Sequence, residues 1–115
     1  MSADFENAFI AMRELLLRAA PGMIVARDAP GDLQLQTAEL DPKTGKPAFF
    51  AAVTLKKAYV AFHLMPLYYR PELLADISLE LDKRRQGKSC FNFKRPDHLL
   101  FAELETLAAR AATNV

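Results

Sequence analysis

The residues best suited to chemistry lie around the single cysteine of the chain. Cys90 and Asn92 belong to a run, residues 87–95, in which polar and aromatic side chains alternate. Alternation with a period of two predicts a β-strand, so Cys90 and Asn92 point to one face while Phe91 and Phe93 point to the other. The aromatic pair is expected in the core. The cysteine and the asparagine are therefore available to water, a ligand or a partner.

A second predicted strand brings a histidine to the same face. Residues 58–65 are apolar and aromatic at alternate positions. If Phe62 faces the core together with Phe91, then Tyr59 and His63 share the opposite face with the cysteine. Apolar walls with a few polar groups are typical of ligand sites. The sequence thus predicts a cleft near His63 and Cys90 that is lined by Tyr59, His63, Tyr68, Tyr69, Lys88, Cys90 and Asn92.

Thiol chemistry at Cys90 is one alternative for this cleft. A cysteine acts as a nucleophile when a base such as His63 takes its proton or when its pKa is lowered. The sequence offers no third residue to orient the histidine, and a free cysteine often serves as a small apolar core residue. No catalytic residue is assigned, and the chain is expected not to be an enzyme.

Metal binding and anion binding are further alternatives. His63, Cys90 and His98 lack the close spacing of known metal sites. The acidic residues of the short helices, Asp76, Glu80 and Asp82, fit a solvated helix face, so no metal ligand is assigned and the cofactor stays unknown. A basic cluster could bind phosphate or a carboxylate. Because the net charge of the whole chain is only +1, these cations are interpreted as solvated charges that complement the dipole at a helix end. The cluster consists of Lys83, Arg84, Arg85, Lys88, Lys94 and Arg95.

Composition indicates one soluble domain over residues 1–115. Apolar residues make up 51% and charged residues 25% of the chain, as in ordinary globular proteins. A net charge of +1 gives no reason to expect a nucleic-acid or membrane partner. No signal peptide and no apolar run of about 18 residues is found. With one cysteine, a cytoplasmic location is expected, and the oligomeric state is left open.

Helices are predicted at both ends of the chain. Apolar residues three and four positions apart form a stripe over residues 5–19, Ser2 or Asp4 can cap its start, and Pro21 ends it. A last helix opens at Pro96 and Asp97. The first stripe comprises Phe5, Ala8, Phe9, Met12, Leu15, Leu16 and Ala19, and the last comprises Leu100, Leu104, Leu107 and Ala111.

The residues between these helices predict strands at 23–27, 33–37, 48–55, 58–65 and 89–93, with a polar loop at 41–47. Leu33 and Leu35 are expected to point inward and Gln34 and Gln36 outward. Short helices are predicted at 71–76 and at 79–86, the second capped by Ser78. The predicted fold is α+β: a mostly antiparallel sheet of about five strands packed on the terminal helices as a two-layer sandwich, with the short helices before the last strand.

Three runs resemble the YdhG-like family of domain-of-unknown-function proteins. They are residues 62–69 (FHLMPLYY), 71–74 (PELL) and 86–94 (QGKSCFNFK), and the likeness covers most of the chain. The resemblance implies a sandwich reminiscent of frataxin. Some relatives are described as frataxin-like iron chaperones, so it also implies iron as a possible ligand. His63, Tyr68, Lys88, Cys90 and Asn92 match the family pattern, which assigns them no role.

The expected function is that of a non-enzymatic module that binds a small ligand or a partner in the cleft near His63, Cys90 and the Tyr68–Tyr69 loop. The first alternative is a frataxin-like protein that binds iron inside the cell. The second is a thiol-dependent enzyme that uses Cys90.

Overall fold

The computed structural model describes residues 3–40 and 42–113, apart from the side chain of Glu39. The proposed cap Ser2 and residue 41 of the predicted loop lie outside these residues. The elements in chain order are α1 (Ala3–Ala19), β1 (Ile24–Ala29), β2 (Asp32–Leu40), β3 (Pro47–Leu55), β4 (Val60–Leu64), 3₁₀ helices at Met65–Tyr68 and Pro71–Asp76, α2 (Leu79–Asp82), β5 (Arg85–Gln86), β6 (Cys90–Phe93) and α3 (His98–Ala112).

The terminal helices bury the stripes that the sequence predicts. In α1 the stripe residues Ala8, Phe9, Met12, Leu15 and Leu16 are buried, and the helix ends before Pro21. In α3 the stripe that begins at Leu100 is buried, with Phe101 and Ala108 in addition. Asp97 caps this helix, since its Oδ1 accepts a hydrogen bond of 3.1 Å from the Leu100 N–H.

All strand pairs of the described sheet are antiparallel, and the order is β1-β2-β3-β4-β6-β5. This confirms the predicted α+β class with terminal helices. The sheet has six strands in the described part of the chain rather than about five, because β5 was not foreseen.

The prediction of a helix over 79–86 is wrong beyond Asp82. After α2 the chain turns, and the Arg84 carbonyl accepts a hydrogen bond of 2.9 Å from the Asn92 N–H. Gly87 then adopts φ 67°, a conformation that suits glycine and closes the β5–β6 hairpin. The backbone around β5 therefore bonds to β6 instead of continuing the helix.

The two faces of the sheet differ in burial. One row of directly opposed residues is fully buried: Leu33, Val53, Phe62 and Phe91. The helices α1 and α3 pack on this side. Here the Phe101 ring contacts the Phe93 ring edge-on, with centroids 4.9 Å apart. The next row crosses the other face, called the outer face here, and its members are half-buried or exposed apart from Ala52. That row comprises Gln34, Ala52, His63, Cys90 and Gln86. The predicted inward and outward parity is confirmed.

No helix within residues 3–40 and 42–113 has the length and apolarity needed to cross a membrane.

Candidate functional site

The strand register places His63 of β4 directly opposite Cys90 of β6, and Ala61 opposite Asn92. Opposed residues of an antiparallel pair share a face, so the histidine, the cysteine and the asparagine all lie on the outer face. Each is half-buried. The structure therefore places His63 on the same face as Cys90 and Asn92, as the sequence predicts.

Two aromatic rings surround His63. The Phe49 ring meets the imidazole edge-on with centroids 5.2 Å apart, and the Tyr68 ring is tilted at 6.3 Å. Tyr68 reaches this position because its 3₁₀ helix follows β4 directly. Phe49 reaches it because the β2–β3 register shifts between Leu35 and Gln36, which turns Phe50 to the core and Phe49 outward. The sequence did not single out Phe49, since its run is almost continuously apolar.

Burial shifts the pKa values of the histidine and the cysteine in opposite directions. It lowers the pKa of His63 and raises the pKa of the Cys90 thiol. The adjacent Ser89 hydroxyl and the charge of Lys56 oppose the rise of the thiol pKa but do not outweigh burial. Both residues are thus favoured in their neutral forms, whereas a nucleophilic pair needs a thiolate beside an imidazolium. The pair lacks the electrostatics of an activated nucleophile.

Three buried polar atoms in the described residues have no hydrogen-bond partner: His63 Nε2, Asn92 Oδ1 and Ser89 Oγ. The serine is 1% exposed and lies in the turn just before β6. Its hydroxyl lies near enough to Cys90 to affect the thiol pKa, but no partner meets hydrogen-bond geometry. An unpaired buried polar atom is costly. On the outer face, the His63 and Asn92 atoms are therefore positions where a ligand could supply the missing hydrogen bonds.

Grooves lie on either side of His63 along β4. One, called the basic groove, has a volume of about 430 Å³ and is lined by Tyr59, Lys83, Arg84, Gln86, Asn92 and Lys94. The other, called the aromatic groove, has a volume of about 650 Å³ and is lined by Thr44, Lys46, Pro47, Ala48, Phe49, Met65 and Tyr69.

The seven predicted site residues are distributed over these features. Tyr59 and Asn92 line the basic groove, and Tyr69 lines the aromatic groove. His63 and Cys90 form the strip between the grooves, with the Tyr68 ring beside the imidazole. The remaining residue, Lys88, is exposed in the β5–β6 turn and lines neither groove.

The acidic residues of the short helices are exposed. Asp82 pairs with Arg85 at 3.0 Å, and Asp76 pairs with Arg110 at 3.4 Å. Among residues 3–40 and 42–113, excluding the Glu39 side chain, no group of three or more histidine, cysteine, aspartate or glutamate residues is placed to hold a metal ion.

The fold and the site together define an α+β sandwich with half-buried polar and aromatic residues on its outer sheet face. Comparison of the chain with models of protein families, with curated proteins and with solved structures gives no match.

The lowered pKa of His63 leads to a prediction about pH. At a pH between the two values of its pKa, the histidine binds a proton more readily in the unfolded chain than in the folded protein. The stability that His63 contributes is therefore fully present above its pKa in the unfolded chain. It is lost as the pH falls through its pKa in the folded protein. We expect the wild-type free energy of unfolding to fall more between about pH 7 and pH 5 than that of His63→Leu, as measured by urea denaturation.

The control for this experiment is His98→Leu, which removes the exposed histidine at the start of α3. Carboxylates also titrate near pH 5, but they are common to all three proteins. Equal pH dependence in the wild type and His63→Leu would contradict the assignment, as would an equal effect of the two substitutions.

Proposed function

We propose that this protein is a non-enzymatic binding module that takes a small planar ligand on the outer face, over the strip that contains His63 and Cys90. The observation that supports this best is the surroundings of His63. Its imidazole is half-buried between the Phe49 and Tyr68 rings, and its buried Nε2 atom has no partner. A ligand with one hydrogen-bonding group would satisfy that nitrogen and remove the cost of leaving it unpaired.

The neighbouring aromatic groove supplies apolar surface for the rest of such a ligand. Phe49 lines this groove and also contacts His63, so groove and strip are continuous at this residue. Met65 adds a side chain that adapts its shape to different ligands. Tyr69 is 61% exposed and offers a ring on which a planar group can stack.

Binding is favoured over catalysis by the charge states of the site. A neutral thiol beside a neutral imidazole is a poor nucleophile. An iron-binding role has less support, because in the described part of the chain no cluster of suitable ligands is present. Membership of the YdhG-like family and a cytoplasmic location remain proposals that agree with this function.

A fragment titration followed by ¹H–¹⁵N NMR tests the proposal. With a panel of neutral planar fragments (indole, benzamide, phenol), we expect at least one to shift the amide signals of Phe49, His63, Met65 and Tyr69. Tyr68→Ala is expected to weaken that binding about 2- to 10-fold, the usual contribution of one aromatic contact.

The matched control is Leu99→Ala, which removes an apolar side chain on α3 that is 83% exposed. It should leave the fragment affinity unchanged. The proposal fails if no fragment shifts signals at this face, or if Tyr68→Ala and Leu99→Ala have the same effect.

A further inference from the structure

We infer that the basic groove binds the phosphate group of a small hydroxylated phosphate ester. This inference deepens the proposed function, since it assigns a chemical class to the ligand of the outer face and rests on that face being a ligand site. The groove forms the end of the face beyond Asn92, and its volume of about 430 Å³ lies within the range of about 300–1,000 Å³ that is usual for small-molecule sites.

The groove concentrates positive charge without a compensating carboxylate. Lys83 and Arg84 approach from the segment between α2 and β5, and Lys94 approaches from the end of β6. No acidic residue lines the groove, and within residues 3–40 and 42–113 neither lysine makes an ion pair. Because the whole chain has 15 basic and 14 acidic residues, these three cations are a local excess that attracts an anion.

The acidic side chain that precedes Lys83 in the chain is already paired. Asp82 Oδ1 accepts a hydrogen bond of 3.0 Å from Arg85 Nε, and Arg85 also donates to the Gly87 carbonyl at 3.0 Å. Arg85 is thereby held outside the groove. Since α2 ends at Asp82, Arg84 and Arg85 do not serve as the helix-terminal charges that the sequence indicated. The interpretation of this cluster as helix-end complementarity is wrong for these two arginines.

The Arg84 side chain has one contact with the protein before any ligand arrives. Its guanidinium carbon lies 5.8 Å from the centroid of the Phe93 ring, a cation–π distance, and Phe93 is itself buried. Its carbonyl accepts the Asn92 N–H at 2.9 Å. A planar guanidinium suits the bidentate recognition of phosphate. The contact with Phe93 lowers the cost of ordering this side chain when a ligand binds.

The uncharged groups of the groove indicate what else the ligand carries. The Tyr59 hydroxyl and the Gln86 and Asn92 amides can each donate a hydrogen bond. Asn92 Oδ1 is buried and has no partner, so it needs a donor from the ligand. A hydroxyl group beside the phosphate supplies that donor and leaves every phosphate oxygen free to accept from the cations, whereas hydrogen phosphate would have to turn its single P–OH toward Asn92.

Titration with three matched compounds tests this inference: glycerol 1-phosphate, inorganic phosphate and glycerol, each at constant ionic strength in sodium chloride. We expect glycerol 1-phosphate to shift the amide signals of Tyr59, Lys83, Arg84 and Asn92 and to bind more tightly than inorganic phosphate. Glycerol alone should leave these signals unchanged. The Lys83→Glu/Lys94→Glu double variant should weaken glycerol 1-phosphate binding at least tenfold, with an unchanged melting temperature as evidence of folding.

The charge control is Lys43→Glu/Lys57→Glu, the same change of net charge at two exposed lysines that line neither groove. A second variant, Asn92→Ala, is expected to weaken binding of glycerol 1-phosphate more than binding of inorganic phosphate. Equal binding of the two anions, or equal effects of the two lysine double variants, would overturn the inference.

The outcomes also separate this inference from the proposed function. If neutral planar fragments shift signals around His63 while glycerol 1-phosphate shifts nothing in the basic groove, the inference fails and the proposed function stands. If glycerol 1-phosphate binds as expected and no planar fragment does, the proposed aromatic ligand fails and the anionic class stands.

Discussion

Phe91→Ala is expected to lower the free energy of unfolding by about 3–5 kcal/mol, the usual range for removing a large aromatic ring from a core. Phe91 is 0% exposed and lies directly opposite Phe62 in the fully buried row. Its ring belongs to the buried core cluster that also contains the apolar residues of α1 and α3, and close-packed neighbours relax only partly into the cavity left behind. Urea denaturation monitored by circular dichroism measures the loss.

The matched control for this experiment is the preceding residue. Cys90→Ala changes the same strand on the outer face, where the side chain is half-buried, and is expected to cost about 1 kcal/mol or less. If the two substitutions had equal effects, the assignment of the two faces would be contradicted.

Glu103→Ala is expected to cost about 2 kcal/mol and to loosen the segment 77–86 selectively. Glu103 of α3 accepts two hydrogen bonds from Ser78, at 2.9 Å from the backbone N–H and at 2.7 Å from the hydroxyl. The same hydroxyl accepts the Leu81 N–H at 3.1 Å and so caps α2. Hydrogen bonds to a partly buried carboxylate contribute more than neutral ones. Urea denaturation gives the overall loss, and amide hydrogen exchange locates it.

Glu105→Ala is the control for Glu103→Ala. Glu105 lies two residues further along α3 and pairs with Arg18 at 2.8 Å, but both side chains are well exposed, so a smaller loss is expected. Hydrogen exchange of residues 77–86 should rise in Glu103→Ala alone. A uniform rise over the whole chain, or an equal rise in both variants, would contradict the local role of Glu103. Because that segment presents Lys83 and Arg84, the variant should also weaken anion binding.

The sequence allows the helices and the two faces of the sheet to be predicted because these depend on local periodicity. The stripe of α1 and the alternation from Cys90 to Phe93 are visible without knowledge of distant contacts. The end of α2 is different. Lys83, Arg84 and Arg85 fit the last turn of a helix by charge, and only the long-range hydrogen bond from Asn92 to Arg84 places them elsewhere.

The candidate site was predictable only in part for the same reason. Strand parity placed His63 with Cys90, but the position of Phe49 depends on a register shift between β2 and β3 that no local pattern shows. Tyr68 and Tyr69 are consecutive in the loop, yet one contacts His63 and the other lines the aromatic groove. Their separation is set by the 3₁₀ turn at residues 65–68.

The packing of α1 against α3 has a consequence for biosynthesis. Arg18 and Glu105, which join the two helices, are 87 residues apart in the chain. The apolar stripe of α1 therefore leaves the ribosome long before the helix that covers it has been translated. Contacts of such long range slow folding and leave apolar surface exposed to aggregation. Until α3 emerges, the contacts of α1 with β3 and β4 are the part of its native packing that can cover this stripe.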